Sequence, residues 1–181
     1  MVGSLVAFLN EARKRKAAGL PLGITRIVIG ILWYQQLLWK MPPDFGRDSN
    51  SGLWYWMNVM GTYSIWPPHQ TFVEQVAIPS FYLFAWLTLL QETAIAISLI
   101  LGLFTPMGAL LATIASINLA LGLWRAPDEW YWTYLMLIAL SALFLFTRAG
   151  RNLGVDQILA RWLQNKAQQG NRWASYLLWL V

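Results

Sequence analysis

Four stretches of this chain run for roughly twenty residues with scarcely a charge, at about 20–40, 79–103, 106–124 and 130–146. A helix rising about 1.5 Å per residue needs that length to cross the hydrocarbon of a bilayer. Across the chain 57% of residues are hydrophobic and only 12% charged, about half the charge of a typical soluble domain. The expected solvent is therefore lipid. The expected fold is all-α: an integral membrane four-helix bundle occupying 20–146.

The remaining segments flank this bundle. Residues 1–19 place Val2, Leu5, Val6, Phe8 and Leu9 ahead of the basic run Arg13-Lys-Arg-Lys16, the reverse of a signal peptide. They read as a short amphipathic helix at the membrane surface. The connection 41–77 contains Pro42, Pro43, Pro67 and Pro68 around the aromatic cluster Trp54, Tyr55, Trp56, Tyr63 and Trp66. It reads as a cap of short interfacial helices near 52–60 and 69–76, because a structureless link of that length is rare. Gly102-Leu-Phe-Thr-Pro106 has the Gly-then-Pro order that ends one helix and starts the next.

In the tail 147–181, Val155, Ile158, Leu159, Trp162 and Leu163 recur at helical spacing beside Arg161 and Lys166. That pattern suits an amphipathic helix on the anionic inner leaflet. The apolar run 173–181 is too short to span and can rest on lipid or on another subunit.

Lys and Arg set the orientation. The two end segments carry Arg13, Lys14, Arg15, Lys16, Arg148, Arg151, Arg161, Lys166 and Arg172, against Lys40, Arg47 and Arg125 on the other side. Both termini are expected in the cytoplasm, with the aromatic cap facing outward from the inner (plasma) membrane. The pI of 9.7 is explained by this topology rather than by nucleic acid, since no groove-sized basic cluster is present. Twelve Trp and seven Tyr suit the headgroup level of a bilayer, although a large aromatic core uses the same residues.

The absence of cysteine rules out thiolate nucleophiles, iron–sulfur clusters and Cys-bound zinc in this chain. One histidine, His69, cannot build a multi-histidine site, so no metal is expected. A haem or chlorophyll ligand on His69 stays open beside the plainer reading of a solvated loop histidine.

Ionisable groups within a span need a partner or water. Counting about 1.5 Å per residue from the cytoplasmic helix ends puts Arg26 about 8 Å deep, Glu92 about 16 Å and Asn118 about 18 Å. Arg26, Glu92 and Asn118 are thus a candidate buried cluster, with Gln91 beside it. Two readings are open: a cluster that holds the bundle together, or one that handles protons or ligand. At the outer end of the first span, Gln35-Gln-Leu-Leu-Trp-Lys40 sets amides, an indole and an ammonium beneath the cap. Lys40, Arg47, His69 and Arg125 can draw in an anion there, and a flat, partly polar molecule can stack on the aromatics, which serve equally as membrane anchors.

The pattern Arg26, Gly30 and Trp39-Lys-Met-Pro-Pro43, then Glu92, then Gly102-Leu-Phe-Thr105, then Gly150-Arg-Asn-Leu-Gly-Val-Asp156 resembles the DoxX family, closest to its DoxD-like branch. The resemblance covers about 20–163. It implies a four-helix membrane fold and, for the DoxD branch, the membrane subunit of a thiosulfate:quinone oxidoreductase that forms tetrathionate. On that reading quinone is the cofactor. Lys40, Arg47 and Arg125 then gather the anion, Trp39 and Trp56 frame a ring site, and Glu92 with Arg26 supports proton movement.

Other membrane subunits or further copies are the expected partners. The alternative is a non-catalytic accessory subunit of a larger respiratory or photosynthetic complex. A small transporter using Arg26 and Glu92 is a third reading, weakened by the lack of an inverted repeat.

The cysteine-free background makes the topology testable. Cysteines introduced by Ala12→Cys and Gln168→Cys should react with an impermeant maleimide from the same side of sealed vesicles, and Ser51→Cys from the other. Labelling of the first two from opposite sides refutes the orientation.

Overall fold

The computed structural model describes the backbone of residues 2–49 and 51–181, and side chains from Gly19 onward within them. The fold is all-α. In chain order it comprises α1 (Val2–Leu37), α2 (Leu53–Tyr63), α3 (Pro67–Phe72) running into a π-helical turn (Val73–Ala77), α4 (Phe81–Leu101) and α5 (Thr105–Leu123). There follow α6 (Tyr131–Thr147), a 3-10 turn (Ala149–Arg151), α7 (Asp156–Gln168) and α8 (Arg172–Leu177). The side chains of the expected N-terminal surface helix, 1–19, lie almost wholly outside the described residues. Helix α1 ends at Leu37 rather than at Lys40, and Lys40 sits in the turn that follows.

Helices α4 and α5 are each long and apolar enough to cross a membrane, and α6 is an apolar helix of 17 residues. Their burial pattern is that of helices in lipid. Leu83, Leu87, Leu90 and Ile97 on α4 and Met107, Leu110, Ile114 and Ile117 on α5 face outward. The inward positions include small residues, Ala85 and Ala96 on α4 beside the larger Ile95 and Leu99, and Ala109, Ala112 and Ser116 on α5. Lipid tails are as apolar as leucine, so helix association in a bilayer depends on close packing, and small residues permit it. At Gly30 the approach of α1 to α4 is closest: a Cβ there would lie 2.8 Å from the Ile100 amide nitrogen. Packing runs α1 on α4, α4 on α5, and α5 on α6. The central core joins Ile29 and Trp33 of α1 to Ile95 and Leu99 of α4, Ala109 and Ala112 of α5, and Phe144 of α6.

Every helix end leaves backbone groups without an intrahelical partner. The tight turn between α4 and α5 has two such ends side by side, and residues distant in sequence satisfy them. Gly102 takes the left-handed conformation (φ +65°) that closes α4. Arg26 of α1 is fully buried and donates to the Leu99 carbonyl at 2.5 Å, and on its other side to the carbonyls of Leu153 (3.0 Å) and Asn152 (3.4 Å). The Val155 and Asp156 amides donate to the carbonyls of Leu101 (3.1 Å) and Gly102 (2.8 Å).

The Asp156 carboxylate, also fully buried, then accepts from the amides of Phe104 (2.7 Å) and Thr105 (2.8 Å), the first donors of α5. A cation thus sits at the negative end of α4 and an anion at the positive end of α5, the favourable sense for both helix dipoles. Asp156 also holds Phe104 in its left-handed conformation (φ +48°), an unfavourable geometry for a residue with a side chain. Nearby, burial lowers the pKa of Arg151, the charge of Arg148 adds to this, and Asp156 opposes it.

Asp156→Asn keeps the shape but removes the charge and turns an amide donor toward a donor. It should cost about 1.5–3 kcal/mol, the usual worth of a charged hydrogen bond, read as a lower thermal midpoint in detergent. Gly102→Ala should be comparably damaging, because its Cβ would fall 2.5 Å from an Arg26 guanidinium nitrogen. Wild-type midpoints for both variants would refute this account of the turn.

Candidate functional site

Two arrangements of polar side chains stand apart from the turn just described. The deeper one is an ion pair. The chain leaves α1 in a tight turn closed by the Lys40 amide on the Leu37 carbonyl (3.0 Å), which directs Lys40 back into the protein. Its Nζ meets Glu92 Oε1 of α4 at 2.5 Å, with both residues 6% exposed, and lies 4.4 Å from the centre of the Trp39 ring. The second carboxylate oxygen, Glu92 Oε2, is buried without a hydrogen-bond partner. Two charges withdrawn from solvent are tolerable only together, and removing one leaves the other uncompensated.

The second arrangement is an open groove of about 410 Å³ at the N-terminal end of α4, lined by Arg47, Trp54 and residues 78–83. Here Arg47 is held by rings. Its guanidinium carbon lies 4.9 Å from the Trp54 ring centre, 5.5 Å from Tyr82 and 5.8 Å from Phe81, and it donates to the Tyr82 hydroxyl at 3.2 Å. Stacking fixes an otherwise flexible side chain while leaving N–H groups free for an anion or a carbonyl.

The expected layer of Arg26, Glu92 and Asn118 does not form through hydrogen bonds, because each finds another partner. Arg26 serves the α4–α5 turn and Glu92 takes Lys40. Asn118 Oδ1 lies 3.1 Å from His69 Nε2, while His69 Nδ1 is 2.8 Å from the Ser64 hydroxyl. That chain ties α3 to α5, and buried His69 is neither solvated nor part of the groove lining. Gln91 reaches the Leu111 carbonyl of α5 at 3.4 Å. Depth along a helix axis set the three residues in a layer; the directions and lengths of their side chains separate them.

Of the expected ligand-gathering residues, Lys40 and Trp39 lie together. Arg47 is in the groove with Trp54, Phe81 and Tyr82, none of which sequence reasoning had picked as ring-site residues. Trp56 instead packs beside Tyr55 (5.2 Å between ring centres) and against the Met60, Val73 and Tyr134 cluster. Arg125 is exposed on the α5–α6 connection, outside the groove lining. The alternating aromatics at Trp54 and Trp56 gave no means of telling which faced Arg47. Among the described residues no three His, Cys, Asp or Glu side chains group so as to hold a metal ion.

No curated protein and no solved structure matches the chain. The family described as TQO small subunit DoxD matches residues 24–180, which takes in α1 from Ile24 onward, the Lys40–Glu92 pair, the α4–α5 turn with Asp156, and α8. With so much of its length matched, this membrane protein belongs to the DoxD/DoxX family.

Proposed function

We propose that this chain is the membrane subunit of an oxidoreductase that passes electrons from thiosulfate, or a related sulfur oxyanion, to quinone. In this reading α1, α4, α5 and α6 cross the inner membrane, with both termini cytoplasmic and α2 and α3 forming the outward aromatic cap. The observation that carries it is the ring-held Arg47 in the open groove, at the same end of α4 toward which Lys40 approaches Glu92.

The residues present suit a flat ring bearing carbonyls. The groove is open, so it would cover one face of a flat ring and leave the other to lipid or a neighbouring subunit. Tyr82 and Leu83 are exposed beside the groove, and Arg47, held against Trp54, and the Tyr82 hydroxyl offer donors. A quinone bound there would supply the two-electron, two-proton acceptor. Arg47 orients a carbonyl or an oxyanion through its free N–H groups. Glu92, with one oxygen unpartnered, holds or releases a proton while Lys40 balances its charge. Since the chain has no cysteine, any thiol-bound sulfur chemistry falls to another subunit.

A second reading, a non-catalytic accessory subunit of a larger membrane complex, draws on the exposed aromatic face of Trp130, Tyr131 and Trp132 at the outer end of α6. Purification in mild detergent separates the two: an inactive chain found only with redox subunits that retain full activity without it favours the accessory role.

The roles of the charged residues separate by variant. Lys40→Met or Glu92→Met alone should destabilise by about 3–5 kcal/mol, because each strands a buried charge. The double variant should recover most of that stability and yet lose thiosulfate-dependent quinone reduction at least tenfold. A stable and fully active double variant would make the pair purely structural. Arg47→Ala should raise KM about tenfold, the worth of a charged hydrogen bond, with the thermal midpoint unchanged. An unaltered KM removes Arg47 from the site.

A further inference from the structure

Helices α7 and α8 form a hairpin whose inner face is small and apolar: Ala160 and Leu163 of α7 meet Ala174 of α8 and Val181 beyond it. Its outer face is large and aromatic. Ile158 is 70% exposed, Trp162 56%, Trp173 77%, Tyr176 68% and Trp179 73%. That is far more bare aromatic surface than a water-facing hairpin tolerates. From Gln157 to Val181 the chain carries Arg161, Lys166 and Arg172 and no acid, and all three bases are exposed.

We propose that this hairpin is a binding platform for anionic phospholipid headgroups, with the tryptophans and Tyr176 at the acyl boundary and Arg161, Lys166 and Arg172 on the phosphates. Three observations choose lipid over a protein partner. The aromatics are Trp and Tyr, the residues favoured at the headgroup level. Bases are interspersed among them with no acid to balance them, and one is Lys166, a residue type depleted at protein interfaces. Phe146 in the last turn of α6 is itself 81% exposed, two residues before the Arg148 that reaches Leu178 and the Trp179 ring.

The hairpin is also held at a fixed place relative to the bilayer-length helices. Asp156 at its start is locked into the α4–α5 turn. At its far end Arg151 donates to the Val181 carbonyl (2.8 Å), and Arg148 donates to that of Leu178 (3.3 Å) while lying 5.5 Å from the Trp179 ring centre. The platform therefore meets the headgroups as a rigid extension of the span, and the segment 173–181 rests on lipid rather than on a subunit.

The test uses the full chain in nanodiscs, with a fluorophore on a cysteine introduced by Trp162→Cys and, separately, by Tyr176→Cys. Brominated phosphatidylglycerol should quench both labels more strongly than brominated phosphatidylcholine. The preference should fall about fivefold for each base removed in Arg161→Gln, Lys166→Gln and Arg172→Gln, as expected for about 1 kcal/mol per surface charge. Quenching by aqueous iodide would place the face in water and overturn the proposal. Shielding from both quenchers would mean that protein covers it, and equal quenching by the two lipids would remove the headgroup selectivity; each of these also overturns it.

Discussion

The structure depends on how it terminates two helices within a few residues of each other. The C-terminal carbonyls of α4 and the N-terminal amides of α5 cannot bond one another across so short a turn, and a polar group deprived of water in or near lipid costs several kcal/mol. Arg26 from the first helix and Asp156 from beyond the last long one resolve both ends together. Segments more than a hundred residues apart in sequence thereby become one unit. Arg26, Gly102-Leu-Phe-Thr105 and Gly150 to Asp156, three of the segments that carry the family resemblance, are the parts of this unit, and their hydrogen bonds here hold the turn.

Once those residues are committed to the turn, the polar chemistry left in the interior is sparse and specific. Lys40 and Glu92 neutralise each other at the α1–α4 interface, with one carboxylate oxygen still free. His69 is occupied at both ring nitrogens and welds α3 to α5. Arg47, exposed and held by rings rather than by a carboxylate, keeps hydrogen-bonding capacity directed outward. Burial has divided the charged residues into those that hold the protein together and those still able to meet a ligand.

The helical nature of the fold was legible in the sequence because hydropathy and helix length are local properties. So was the Gly-then-Pro punctuation at Gly102 and Pro106. The partners of Arg26, Glu92 and Asn118 were not. A rise per residue gives depth along one axis, but it says nothing of azimuth, of how far an arginine or lysine reaches, or of a base such as Lys40 re-entering from a turn. Trp54 and Trp56 show the same limit at close range: two residues apart, they face different clusters, and only the packing of α2 decides which one meets Arg47.

The position of Asp156 bears on how the protein is made. When Phe104 and Thr105 are joined to the chain, the carboxylate that completes their junction is still some fifty residues from being added, as its contacts with them span 52 and 51 positions. Until then the amides of the turn have no such acceptor, and the turn closes only when the start of α7 docks on it. Forming α4 and α5 and sealing the junction between them are therefore separable events, the second a long-range closure.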